Sequence, residues 1–212
     1  MRRFLSLIAV ILFSVHAIPA QAAAEAATRL TKVLSGITTM QASFTQSTTD
    51  AKGHNLPVQT GRMSAQRPGL FRWEVLKPSP QMVLTTGKFL WVYDPELMQA
   101  TRQKLSEQAG NTPALLLSGD PRTLDAAFVI TEEPGASAGT ERVFVLKPRD
   151  KEALFENLRV QFKGSELVRM ELQDTLGQIT DIRFSDIRVN PALPASRFEF
   201  IPGKGVDVID QM

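Results

Sequence analysis

Arg67-Pro68-Gly69-Leu70-Phe71-Arg72-Trp73-Glu74 is the stretch on which the reading of the fold turns. It reads as an extended strand. Proline disfavours the helical region for the residue before it, and the side chains that follow alternate with the two-residue period of a strand. Phe71, Trp73 and Val75 fall on one face; Leu70, Arg72, Glu74 and Leu76 fall on the other. Carried back through Pro68-Gly69, the same parity places Arg67 on the apolar face. A guanidinium there keeps its proton and must find acceptors.

Further strands lie on both sides. Met40, Ala42, Phe44 and Gln46 alternate ahead of a turn at Asp50-Ala51-Lys52-Gly53, and Val58 to Gln66 is a weaker strand. Gln81 to Thr86 and Lys88 to Tyr93 flank Gly87. In the second of these, Phe89, Trp91 and Tyr93 share one face and Leu90 and Val92 the other; the pattern does not choose which faces inward. Leu97 to Gln103 continues the meander. A second meander runs through Arg142 to Lys147, Asn157 to Lys163, Leu167 to Gln173 and Ile179 to Val189, with turn signals at Gly164-Ser165 and Leu176-Gly177. In its last strand Ile182 and Phe184 have one parity and Ile187 and Val189 the other, which predicts a bulge near Ser185-Asp186. Phe198 and Phe200 suggest a final strand.

Helical signals are few. Ala26, Leu30, Val33, Leu34 and Ile37 follow three-four spacing within a helix expected over Ala23 to Ile37, with Gly36 as its stop. Thr112-Pro113 opens and Gly119 closes a short helix containing Leu115, Leu116 and Leu117, and Asp120-Pro121 starts another towards Phe128. Many short strands with few helices predict a mainly β fold. The expectation is one antiparallel sheet curled into an unclosed barrel, its open face covered by the helices.

Length and composition narrow the function. The chain has 212 residues, room for one domain with a sizeable core. Residues 1–22 have the form of a secretory signal, with basic Arg2-Arg3, an apolar run from Phe4 to Val15 and a small-x-small site at Ala20-Gln21-Ala22. The expected mature domain is 23–212. It holds 22 basic and 22 acidic residues, with no basic block or basic–aromatic stripe, so nucleic acid is not implied. There is no cysteine. An exported chain without disulfides depends on its core, and without a cysteine after the signal it is expected to be soluble rather than lipid-anchored.

Catalytic and metal-binding patterns are scarce. His16 leaves with the signal, so His54 is the one histidine for any serine–histidine–aspartate site. Cysteine and histidine cannot assemble a metal cluster, and no glycine loop cradles phosphate. Asp94, Asp174 and Asp186 are available to an exported hydrolase, although turn and solvent-face roles explain them more simply. The strands are mostly short for an outer-membrane barrel, whose apolar band is about 25 Å tall. Binding remains. The mature chain has ten phenylalanines and two tryptophans, which serve equally as a packed core or as the wall of a cavity.

Arg67 to Trp73 resembles the strand that opens with Arg-Pro in the periplasmic outer-membrane lipoprotein carriers, the LolA family. Gln41-Ala42-Ser43-Phe44-Thr45-Gln46, Leu90-Trp91-Val92-Tyr93-Asp94-Pro95, Gln99-Ala100-Thr101, Asn111-Thr112-Pro113, Phe198-Glu199-Phe200 and Gly205-Val206-Asp207-Val208 match in the same order. The resemblance implies an unclosed antiparallel barrel with a helical lid over an apolar cavity, no enzyme activity and no cofactor. It implies a monomer that receives acylated lipoproteins from an inner-membrane ATP-driven release complex and passes them across the periplasm to an outer-membrane receptor lipoprotein. The family's arginine maps onto Arg67, a lid latch whose acceptors fall by position on the backbone of Leu117 and Ser118. The implied acyl-chain cavity is lined by Leu30, Leu34, Phe44, Phe71, Trp73, Leu115, Leu116 and Leu117. A lipid- or lipoprotein-sensing module of the same fold is the alternative, ahead of a hydrolase.

Overall fold

A computed structural model describes residues 18–105, 113–133 and 140–211. Twelve strands form a single sheet: β1 (Thr39–Thr49), β2 (Gln59–Gln66), β3 (Leu70–Lys77), β4 (Gln81–Thr86), β5 (Phe89–Asp94), β6 (Gln99–Lys104), β7 (Phe128–Glu132), β8 (Glu141–Pro148), β9 (Phe155–Lys163), β10 (Glu166–Asp174), β11 (Ile179–Val189) and β12 (Asp207–Gln211). Their order is β12-β6-β5-β4-β3-β2-β1-β11-β10-β9-β8-β7. Two meanders are therefore sewn together where β1 pairs with β11, and the sheet curls without closing, with β7 and β12 as its edges. All pairings are antiparallel except that of β12 with β6, which is parallel.

Register explains which residues face inward. Phe44 lies opposite Gly61 and Phe184, Met63 opposite Trp73, and Ala65 opposite Phe71. These side chains share the concave face with Leu158, Val160 and Phe162 of β9 and Phe144 and Leu146 of β8. The bulge expected in β11 is present: register slips between Gln41 and Ser43, and Asp186 takes a positive φ of 50°. It returns Ile187 and Val189 to the inner face, where they pack against the same core as Phe184.

The helices cover that inner face. α1 (Ile18–Ser35) begins before the expected start and buries Ala26, Leu30 and Leu34 along one stripe. It is held to β7 by Arg29, whose Nε donates to Glu132 at 2.6 Å, and to the segment before β7 by Thr31 Oγ1, which donates to the Pro121 carbonyl at 3.2 Å. α2 (Pro113–Ser118) lies over β2 and β3, and α3 (Leu124–Ala127) follows a one-turn 3-10 helix at Pro121–Thr123. Asp120 caps that turn by accepting from the Arg122 N–H at 2.9 Å. None of the described helices is long and apolar enough to cross a membrane.

Several expectations need correction. Arg67, Pro68 and Gly69 form the turn between β2 and β3 rather than the start of the strand, with Gly69 at φ 77°. Glycine reaches that left-handed region without a Cβ penalty. The second short helix expected towards Phe128 is present as the 3-10 turn and α3, but the edge strand β7 that begins at Phe128 was not expected. Phe198 lies in a 3-10 turn (Ala195–Phe198) and not in a strand. The terminal strand is β12, whose five residues are all exposed and carry little alternation to betray it.

The outer face carries a second, smaller core. Met82, Leu84, Trp91, Ala100 and Phe198 are buried there, with Phe89, Tyr93 and Phe200 packed against them. This settles the open parity of β5. Phe89, Trp91 and Tyr93 face outward under the 191–206 segment, while Leu90 and Val92 share the inner parity. Arg72 pins that segment by donating to the Arg197 carbonyl at 3.2 Å.

Two substitutions test this packing. A Cβ at Gly61 would overlap the Glu74 carbonyl and come within 2.5 Å of the Phe44 ring. Gly61→Ala is expected to destabilise the fold by about 2–3 kcal/mol, read as a lower urea midpoint with an unchanged slope. Phe198→Ala removes the centre of the outer core; a loss of about 3 kcal/mol is expected, with a red shift in Trp91 fluorescence.

Candidate functional site

The site is built where the lid meets the aromatic wall. Phe44 rises from β1 into the space left by the missing side chain of Gly61, and its ring stacks on Trp73 of β3 at a centroid distance of 3.7 Å and an interplanar angle of 18°. Phe71 lies 6.1 Å along the same strand face, and Phe184 meets Trp73 edge-on at 6.4 Å. The result is a continuous aromatic surface across β1, β3 and β11.

Lid leucines press on the same core. Leu30 and Leu34 of α1, Leu116 and Leu117 of α2, Phe44 and Phe71 belong to one buried cluster, from Leu30 at 0 % to Leu117 at 6 % exposed, and Trp73 packs against it half-buried. Seven of the eight residues expected to line a cavity are thus brought together. The eighth, Leu115, lies in α2, and its side chain falls outside the described residues. The inner surface is occupied by the lid's own leucines in this state.

Arg67 fastens this arrangement at the rim. Its Nε donates to the Ile37 carbonyl at 3.0 Å, one terminal nitrogen donates to the Leu116 carbonyl at 2.8 Å, and the other donates to the Gly119 carbonyl. The expected acceptors were Leu117 and Ser118. The carbonyls reached are those on either side of that pair, together with Ile37 at the exit of α1. The Ser118 carbonyl accepts instead from the Gly69 N–H, at 2.7 Å. The physical reason is the helix terminus: the last carbonyls of α2 lack intrahelical partners, and the planar fork of the guanidinium spans two that are not adjacent. One side chain from the β2–β3 turn therefore holds both α1 and α2.

Burial pushes the Arg67 guanidinium down to about 10, an effect opposed by the nearby Asp120 carboxylate. Its charge persists through the neutral range. All three acceptors are neutral backbone oxygens, so the fastening is charge-assisted without being a buried ion pair. Asp120 itself is held low, to about 2, first by the side-chain hydrogen bond from Arg122.

The remaining candidates do other work. Asp94 accepts from Glu96 and Leu97 N–H groups in its own turn, Asp174 accepts from Leu176 and Gln178, and Asp186 forms the β11 bulge. His54 pairs with Asp50 at 3.0 Å in an exposed turn. Two clefts lie away from the aromatic wall. One of about 800 Å³ runs beside α1 between Ala27, Thr31 and Phe128; one of about 600 Å³ lies on the outer face near Phe89, Trp91 and Phe200. Sequence reasoning missed the Ile37, Leu116 and Gly119 carbonyls, because a backbone acceptor leaves no residue-type signal. The glycine marking the exit of α2 was the one available hint.

Comparison with known proteins places this geometry. The family profile described as outer membrane lipoprotein carrier protein LolA matches residues 35–201. An outer-membrane lipoprotein carrier protein of Pseudomonas paraeruginosa is 43 % identical over 183 residues, covering 86 % of each chain. One from Pseudomonas fluorescens is 40 % identical over 207 residues, covering 98 % of this chain and 96 % of its own. Among solved structures, an uncharacterized conserved protein from Thermus thermophilus has a TM-score of 0.56 at 18 % identity, covering 90 % of this chain and all of its own. A DUF1329 family protein from Desulfovibrio piger scores 0.51 at 14 % identity, covering 85 % and 97 %. These two share the fold. With an unclosed curled sheet, an apolar inner face under short helices and a profile match across most of its length, the chain belongs to the LolA family of outer-membrane lipoprotein carriers.

Proposed function

We propose that this carrier holds the acyl chains of lipoproteins against the aromatic wall of Phe44, Phe71 and Trp73, in the space the lid leucines fill in the closed state. Residues 1–22 serve as a cleaved signal. The mature protein is a monomer in the periplasm that takes acylated lipoproteins from an inner-membrane ATP-driven release complex and delivers them to an outer-membrane receptor lipoprotein. The observation that carries this reading is the form of the closure: apolar side chains against an apolar wall, fastened by one arginine to backbone carbonyls.

The energetics favour exchange over permanent binding. Each buried methylene contributes about 0.8 kcal/mol, so one long acyl chain represents roughly ten kcal/mol or more that water would charge a free cargo. Four lid leucines, at about 1.5–3 kcal/mol each, represent a comparable sum. Displacing them as a chain enters replaces one apolar filling by another, so the net affinity stays modest and release needs no nucleotide on the carrier.

Arg67 sets the balance. Charge-assisted hydrogen bonds contribute about 1.5–3 kcal/mol each, and a latch of about 3 kcal/mol lowers apparent cargo affinity about hundredfold by favouring the closed state. Arg67 therefore governs handover and does not itself create the binding surface.

Incubation of the purified protein with spheroplasts carrying a labelled outer-membrane lipoprotein is expected to yield a soluble one-to-one complex; no complex would count against carriage. Arg67→Leu is expected to load normally but to pass cargo to the receptor at least tenfold more slowly, since loss of the latch favours the loaded state. Transfer at the normal rate would refute the latch.

A further inference from the structure

The linker between α1 and β1, residues 36–38, and the first residue of β1 are gripped by two residues that lie far from them in sequence. Arg67 takes one side: its side chain donates to the Ile37 carbonyl at 3.0 Å and its backbone N–H to the Thr38 carbonyl at 2.9 Å. Asn190, just after β11, takes the other. Its Oδ1 accepts from the Thr38 N–H at 2.8 Å, the Thr38 hydroxyl at 3.0 Å and the Thr39 N–H at 3.4 Å. Its Nδ2 donates to the Gly36 carbonyl at 2.8 Å, and its backbone N–H donates to the Thr39 carbonyl at 2.8 Å. Donors surround one end of the carboxamide and an acceptor the other, so the amide has one orientation that satisfies the site.

One detail joins the two grips. The Ile37 carbonyl and the Thr38 N–H belong to the same planar peptide unit. Arg67 holds its oxygen and Asn190 its nitrogen. The direction in which that carbonyl points is therefore set from both sides at once. Asn190 is exposed and sits at φ 58°, a left-handed conformation that asparagine tolerates better than most residues. A solvent-facing residue in that conformation whose side chain makes four contacts to a single linker has a task beyond ending a strand.

We propose that Asn190 is a positioning residue for the latch: it fixes the linker on which the lid helix turns and presents the Ile37 carbonyl to Arg67. The proposal rests on the reading of α1 as a movable lid. With Asn190 in place, α1 pivots about a fixed peptide when Arg67 lets go, and the acceptor stays correctly aimed for relatching. Without the Asn190 side chain, the peptide plane rotates and the Arg67 bond weakens even though Arg67 is unchanged.

Asn190→Gly separates the side chain from the backbone, because glycine keeps the positive φ at no cost. Hydrogen exchange on the cargo-free mature protein is expected to be about tenfold faster in α1 (residues 23–35), with β9 to β11 unaffected. Introduced into Arg67→Leu, the same change is expected to add less than twofold, because both substitutions release one peptide. Asn190→Asp keeps the acceptor for Thr38 and Thr39 but loses the donor to Gly36, and an intermediate rate is expected. Unaltered exchange in α1, faster exchange spread through β9 to β11, or a full tenfold increment on top of Arg67→Leu would each overturn the proposal. Exchange requires no cargo. A carrier that fails to transfer lipoprotein yet shows the Asn190–Arg67 coupling would defeat the functional reading and leave this one standing.

Discussion

A twelve-stranded sheet that curls without closing leaves an apolar inner face that its own edges cannot cover. Everything else in the molecule answers that constraint. Phe44, Phe71, Trp73 and Phe184 meet there because the pleat of β1, β3 and β11 directs them to one side, and water must be kept from them. Two helices supply most of the cover: α2 is six residues long, and α1 reaches the sheet through a narrow stripe of Ala26, Leu30 and Leu34. Packing of the cover on the sheet is therefore confined to a few apolar side chains of each helix.

Polar groups at the rim give that cover a defined position. A hydrophobic lid has no preferred register, whereas hydrogen bonds are directional. Arg67 supplies direction by collecting the exits of α1 and α2 on one guanidinium, and Asn190 holds the linker from the opposite side. Both come from the ends of strands: Arg67 from the turn between β2 and β3, Asn190 from the residue after β11. Because the acceptors are neutral backbone carbonyls, the fastening contains no buried counter-charge.

The outer core adds packing on the opposite face of the sheet. Trp91, Leu84, Met82 and Phe198 form a cluster on the far side of β3 to β6, and Arg72 holds the covering segment against β3. That half of the sheet is thus packed on its outer surface, and Leu90 and Val92 are left on the inner parity beside Trp73. The same strands thus carry apolar packing on both faces.

Much of this was legible in the residues themselves. Period-two alternation over Met40 to Gln46, Leu70 to Lys77 and Ile179 to Val189 placed strands and their faces, and the parity switch at Ser185-Asp186 located the bulge, because a side chain's face follows from counting along a pleat. The leucines at Leu30, Leu34, Leu116 and Leu117 announced helices with an apolar side for the same reason at a different period. Other features leave no such trace. β12 is exposed along its length and β7 is short, so neither shows a pattern; each exists because a neighbouring edge offers unpaired backbone groups. Which face of β5 turns inward depended on whether the 191–206 segment crosses behind it, a long-range fact. The latch divides along the same line. An arginine beside an aromatic strand declares in sequence that it needs acceptors. Which carbonyls those are, 30 to 52 residues away, and that Asn190 holds the other side of the same peptide from 152 residues away, arises only when these segments are brought together, because backbone oxygens are identical in every residue and only geometry distinguishes them.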